Sequence, residues 1–312
     1  MAQEVMNTRL RKLPVYRVED LTGIARRCDW FINDVQLLNI TNTTRPRTIF
    51  ISGYRGYRAF PFFYQYLFPK LKTPFILIVA SEDHSFPRGH LDLRANYYQH
   101  VQTEIATVLH SPLLQHCFVE NLDTAGPKLT PLPLGLLHYA NWELYAPLLR
   151  IPPLPIHMDR RTIRVVSCHR NRQGPQWEDR NRVAAFCKSE WSGFVEYAEE
   201  LEPADFRRKL MSAQFCLCVH GGGIDPSPRA WEALLCGTIP ILEHSMVDEA
   251  YSRFPVAYVD AWTADAVTPE KLDAWLTELR PYYEDKEKRA AVLKMMTTDY
   301  WWDIIQTKNP KK

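Results

Sequence analysis

Long apolar runs are missing from this chain. The longest, 73–80, 215–219 and 238–242, fall far short of the roughly 20 residues that a membrane-spanning helix needs. The leading MAQEVMNTRLRK is charged and runs into no apolar segment, so no secretory signal is predicted. A surplus of one charge is missing too. The 38 Lys and Arg stand against 36 Asp and Glu, and a formal charge of +2 offers no global field to nucleic acid or anionic lipid. Any anion site has to be local. Paired cysteines are also absent: the seven are scattered, with no CxxC couple, and several fall inside apolar strands as free thiols. That is the pattern of a reduced, cytoplasmic protein, although sequons at Asn39 and Asn42 point weakly the other way. No HExxH, GxSxG or GxGxxG occurs, which argues against zinc chemistry, a serine hydrolase and a nicotinamide or flavin site.

What is present is an alternation. Apolar strand-like runs at 47–53, 74–81, 116–121, 162–168, 215–219, 238–242 and 256–260 are interleaved with helical patterns at 96–111, 180–189 and 203–213 and near the C-terminus. Another helix-compatible stretch, 57–71, is interrupted by Pro61 and Pro69. Strands alternating with helices predict an α/β fold with mostly parallel sheets. The length of 312 residues suits two domains, and the proline-rich 151–158 is the natural joint. The expectation is two Rossmann-like domains, 1–150 and 151–312.

One stretch, FCLCVHGGGIDPSPRAWEALLCGTIPILEH from Phe215 to His244, is dense with signals. An apolar strand ends in His220 and three glycines, Gly221, Gly222 and Gly223, where the backbone can approach a ligand closely. Ser227 is placed to cap a helix, Pro228 to begin it and Gly237 to stop it in a left-handed turn. The free N–H groups at such a helix start favour an anion such as a diphosphate. Arg229 in the first turn opposes the helix dipole, so its use is to reach that anion. Glu232, one turn on, is placed to accept from ribose hydroxyls. A plain alternative is that Arg229 and Glu232, three apart, simply pair on a solvated face.

This stretch resembles the nucleotide-sugar half of the exostosin-like glycosyltransferases, which carry a strand ending FCL, a glycine-containing loop, SPR opening a helix, EA one turn later and G-x-IP before the next strand. The resemblance is strongest over 205–245. It extends more weakly over 160–185 and to SEDHSF (81–86) and NLDTAGPKLTPLPLGL (121–136). It implies a GT-B architecture, two Rossmann-like domains across a cleft, and inverting transfer from a UDP- or GDP-linked sugar to a glycan or glycoprotein. The N-terminal domain then holds the acceptor and the C-terminal one the donor, with a terminal helix packing back on the first. Donor contacts fall on His220, the three glycines, Asp225, Ser227, Arg229 and Glu232. No metal or other cofactor is expected. Many relatives are membrane-anchored, so a lumenal domain of a trimmed secretory-pathway enzyme stands as the alternative to a cytoplasmic one.

Three further constellations carry chemistry. The loop SCHRNRQGPQWEDRNR (167–182) brings His169, Arg170, Arg172, Arg180 and Arg182 beyond a strand end, which suits a diphosphate leaving group. Arg170 and Arg172 are favoured as nearest the strand. The triplet Glu82, Asp83 and His84 ends another strand, where a base could take the acceptor proton. Asp83 ranks first, Glu82 second and His84 third. Ser81-Glu82-Asp83 after the same strand also looks like a degenerate metal-binding DxD, as in a metal-dependent GT-A transferase. Finally, Tyr54, Arg55 and Tyr57 suit a sugar acceptor, and His138, Tyr139, Asn141 and Trp142 are weaker candidates. Two rivals of another class remain: a non-catalytic nucleotide- or carbohydrate-binding protein, and an α/β enzyme handling phosphorylated sugars. The second would need the basic loop but not Glu232.

Overall fold

The structure is a computed structural model that describes residues 23–53, 58–81, 83–93, 98–136, 145, 148, 153–226 and 228–309. The first part runs α1 (Gly23–Arg27), β1 (Trp30–Asn33), β2 (Gln36–Asn39), β3 (Thr48–Ser52), α2 (Ala59–Phe62), β4 (Phe75–Ala80), α3 (Gln102–Leu109), β5 (Leu114–Val119) and β6 (Leu129–Pro131). The second runs β7 (Ile163–Cys168), α4 (Glu178–Lys188), β8 (Val195–Ala198), α5 (Pro203–Ser212), β9 (Ala213–Leu217), α6 (Pro228–Cys236), β10 (Ile239–Glu243), α7 (Asp248–Tyr251) and β11 (Ala257–Val259). Four helices close the chain: α8 (Pro269–Leu279), α9 (Pro281–Glu284), α10 (Lys286–Met295) and α11 (Thr298–Thr307).

The strands form two sheets, ordered β2-β1-β3-β4-β5-β6 and β11-β10-β9-β7-β8. Every pairing is parallel except the β1–β2 hairpin. This is the α/β class read from the alternation. Parallel strands are covered on both faces, which is why β3 and β4 are buried along their whole length and read as unbroken apolar runs. Alternate side chains of the first sheet enter different cores. Ile49, Ile51, Leu77 and Val79 pack with the aromatic segment around Phe60 and Phe63. Phe50, Ile76, Ile78 and Phe118 join one cluster with Phe215, Trp231 and Trp301 of the second part. The two sheets therefore share a continuous apolar contact.

The aromatic stretch expected to break at its prolines does not. Its backbone passes from α2 through a wide turn, Phe63–Leu67, into the tight turn Phe68–Lys70. Pro61 and Pro69 each fall early in their turns, where the missing N–H has no helical acceptor to lose. Helix α6 begins at Pro228 and is followed by Gly237 at φ +72°, the left-handed stop predicted for it. It is buried from Ala230 to Cys236, as a core helix is. All seven cysteines are buried. No helix among the described residues is long and apolar enough to cross a membrane.

Candidate active site

In parallel sheets the loops that leave the C-terminal strand ends gather at one edge, and ligands bind there. Here those loops from both sheets line a single cavity of about 320 Å³. Asp83 beyond β4, Asn121 beyond β5 and Leu134 beyond β6 form one wall. Arg172, Arg180, the three loop glycines and Arg229 form the other.

The loop geometry explains how each side chain arrives. Ser81 takes φ +76° and donates its main-chain N–H to the buried Glu120 carboxylate. That turn ends β4 and delivers Asp83 to the cavity. Asn121 reaches across: its Oδ1 accepts from the main-chain nitrogens of Ile224 (2.9 Å) and Asp225 (3.0 Å). Asp225 is buried too, its Oδ2 accepting from Leu134 N (3.0 Å) and the Tyr251 hydroxyl (2.8 Å). Gln176 donates to Gly222 O (3.0 Å) and accepts from Leu93 N (2.7 Å). The glycine loop is thus stitched to both walls. Its glycines admit protein as much as ligand: a β-carbon on Gly223 would lie 2.4 Å from Asn121 Oδ1, and one on Gly221 would lie 2.8 Å from an Arg180 guanidinium nitrogen.

Three arginines line the cavity against two carboxylates, Asp83 and Asp225. Arg180 is 8% exposed, and its Nε donates to His220 O (2.8 Å). Both Arg180 and Arg172 lie over the Trp177 ring, at 5.5 and 4.8 Å. Burial, then the charges of Arg229 and Arg172, push the Arg180 guanidinium down to about 9, with Asp83 opposing. Three cations that repel one another in a partly dry cavity form a site that an anion relieves.

The residues expected to touch a donor divide. Arg172, Arg229, Asp225 and the glycines line the cavity, and Asp83 faces them. Arg180, ranked below Arg170, lines it as well. Arg170 turns outward to an exposed ion pair with Glu200. His169 lies behind the wall, 1% exposed, its Nε2 2.9 Å from Arg180 O; burial holds its pKa down to about 3, so it is neutral. His220 points away from the cavity toward Asp179 Oδ2 (3.0 Å). Glu232 does not line it either; it is buried beside Tyr145, whose phenol is raised by burial and then by that carboxylate. His84 contacts the buried carboxylate of Asp92 through Nδ1. Asp92 was not legible in the sequence, because nothing in its spacing from His84 marks a partner. Glu82, Tyr54, Arg55, Tyr57, Ser227, His138, Tyr139, Asn141 and Trp142 lie outside the described residues.

No family model matches this chain, and no curated protein matches it in sequence. Among solved structures it is similar to sucrose-phosphate synthase from Thermosynechococcus elongatus, at 13% identity and TM-score 0.42, covering 83% of this chain and 73% of that one. It is also similar to the glycotransferase of kitacinnamycin, at 15% identity and TM-score 0.37, covering 85% and 77%. A third is an alpha-glucosyltransferase in complex with UDP-glucose and DNA containing an abasic site, at 11% and 0.37, covering 84% and 81%. These likenesses are distant, and no donor or acceptor passes from them to this chain.

Proposed function

We infer that the chain is a glycosyltransferase of GT-B type, akin to the exostosin-like enzymes, that transfers a sugar from a UDP- or GDP-linked donor with inversion. One observation carries this: Arg172, Arg180 and Arg229 converge with the glycine loop and the start of α6 on a cavity whose far wall holds Asp83. The guanidiniums and the helix start bind the diphosphate and stabilise the charge that grows on it as it leaves. Those cations do the work that a metal does in other transferases, so transfer is read as metal-independent. The part around the first sheet takes a glycan or glycoprotein acceptor. Asp83 removes the acceptor proton as the sugar carbon is attacked, and inversion follows from a single displacement.

A second reading is favoured by Glu232, which is buried beside Tyr145 and does not line the cavity. An α/β enzyme acting on a phosphorylated sugar would need the arginines alone. Thermal shift and donor hydrolysis across UDP-sugars, GDP-sugars, hexose phosphates and free glycans, each with EDTA, separate these. One nucleotide sugar that stabilises the protein and is slowly hydrolysed despite EDTA supports the transferase. Stabilisation by hexose phosphates alone moves the assignment to the second reading, and by free glycans alone to a non-catalytic binding protein.

A further inference from the structure

Behind the anion cavity, on the far side of the glycine loop, lies a second cluster. Asp179 in the first turn of α4, His220 beyond β9 and Glu243 at the end of β10 each present one donor atom, and the three atoms lie within 4.8 Å of one another. We propose that Asp179, His220 and Glu243 form a binding site for one first-row divalent cation, Zn²⁺ or Mn²⁺.

The donor set fits this class. One imidazole and two carboxylates, with no thiolate, suit Zn²⁺ or Mn²⁺ better than the all-oxygen shells of Ca²⁺ and Mg²⁺. Tetrahedral zinc bonds of about 2.0–2.2 Å put ligand atoms about 3.3–3.6 Å apart. The His220–Asp179 separation of 3.0 Å is close to that already, and the remaining adjustment is that of side chains.

Each ligand is also held from behind, as metal ligands are. Arg182 takes Asp179 Oδ1 at 3.0 Å and leaves Oδ2 toward His220. His220 Nδ1 faces Gly221 O at 3.5 Å, which leaves Nε2 toward the cluster. The main-chain N–H of Trp262 bonds the Glu243 carboxylate.

The position gives the site a consequence. His220 carries a candidate ligand on its side chain and accepts from Arg180 on its main-chain oxygen. A cation on Nε2 therefore anchors the loop that holds Arg180 in place. Its role is to stiffen the anion cavity, away from the transferring atoms, so it is compatible with transfer that needs no metal.

The test is titration of EDTA-stripped full-length protein with Zn²⁺, Mn²⁺, Mg²⁺ and Ca²⁺, read by calorimetry and thermal shift. The expected result is one Zn²⁺ or Mn²⁺ per chain. A hundredfold excess over Kd should raise Tm by about 4 °C, while Mg²⁺ and Ca²⁺ give no saturable binding. His220→Ala and Glu243→Gln should each weaken binding at least tenfold. Glu243→Gln keeps shape and folding, so its result stands if His220→Ala fails to fold. No saturable binding of Zn²⁺ or Mn²⁺ up to millimolar concentration overturns the site. So does binding of undiminished affinity in Glu243→Gln, which would place the metal on other histidines or on cysteines.

Discussion

Asn121 and Asp225, from opposite walls of the cavity, are joined by a 3.0 Å bond from the Asp225 main-chain nitrogen to Asn121 Oδ1. The same oxygen takes Ile224 N, so one buried amide satisfies two donors of a loop that has no regular structure. Asn121→Ala leaves both N–H groups without that acceptor. A buried donor left unmade costs about 1–3 kcal/mol, and the expected loss is about 2–3 kcal/mol by urea unfolding. Gly223→Ala should act on the same contact, because its β-carbon would meet Oδ1 at 2.4 Å. The double variant should therefore lose less than the sum of the two single losses. Full additivity would show that the loop is held by something else.

Arg180 and Arg170 make a sharper contrast. Arg180 is buried among like charges, while Arg170 sits in a surface pair. Exposed pairs contribute about 0–1 kcal/mol, so Arg170→Ala should leave donor affinity within about twofold and Tm nearly unchanged. Arg180→Met should weaken donor binding tenfold or more, about 1.4 kcal/mol or above. The same change removes a repelled, desolvated charge, so the ligand-free protein should be no less stable than wild type. Calorimetric donor titration and thermal melts of both variants decide it. Equal loss of donor binding in the two would remove Arg180 from its assigned place.

That contrast also shows what the sequence could tell. The strand–loop–helix unit around 215–242 was legible because propensity, glycine placement and the Pro228 start agree locally, and all are visible in one stretch of chain. The order of the arginines was not. Distance from a strand end along the chain favoured Arg170, but α4 folds back over the tip of β7 and aims Arg180 inward. The surroundings of Glu232 were illegible for a related reason: helix position gives a face, but not what covers it, and Tyr145 lies there. The β1–β2 hairpin and β8 passed unnoticed because each is a four-residue strand at or beside a sheet edge. The Asp92 partner of His84 and the hold of Asn121 on residues 224 and 225 join segments far from regular periodicity, so no local pattern encodes them.

Asp83 carries the assigned base function, and its variant must separate chemistry from binding. Asp83→Asn keeps size and hydrogen-bonding capacity but cannot accept a proton at neutral pH. Loss of a positioned base typically costs about 10²–10⁴-fold in rate. Turnover should fall by that factor, while donor affinity changes no more than about threefold, since the arginines that hold the donor remain. A Asp83→Asn enzyme with turnover intact would move the base to His84, whose contact with Asp92 orients its ring. In that case Asp92→Asn, and not Asp83→Asn, should shift the acid limb of the pH–rate profile.

His169 makes the stability of the protein depend on pH in a stated direction. Its ring is buried against Arg180 O, and burial foremost holds its pKa down to about 3. In the unfolded chain a histidine titrates near the ordinary value of about 6.5. Between these values the unfolded state binds a proton that the native state refuses, so stability is full above about pH 6.5 and falls as pH drops. The slope for one such group is at most about 1.4 kcal/mol per pH unit. His116, held down to about 4 by burial and then by Lys308 and Lys128, adds a loss of the same sign. From pH 7.5 to 5, His169 alone should account for about 2 kcal/mol. Urea unfolding of wild type and His169→Gln at both pH values checks this, with the variant expected to lose about that much less on acidification. Equal losses in the two proteins would mean that His169 accepts a proton in the folded state, and that its hold on Arg180 O does not require the neutral ring.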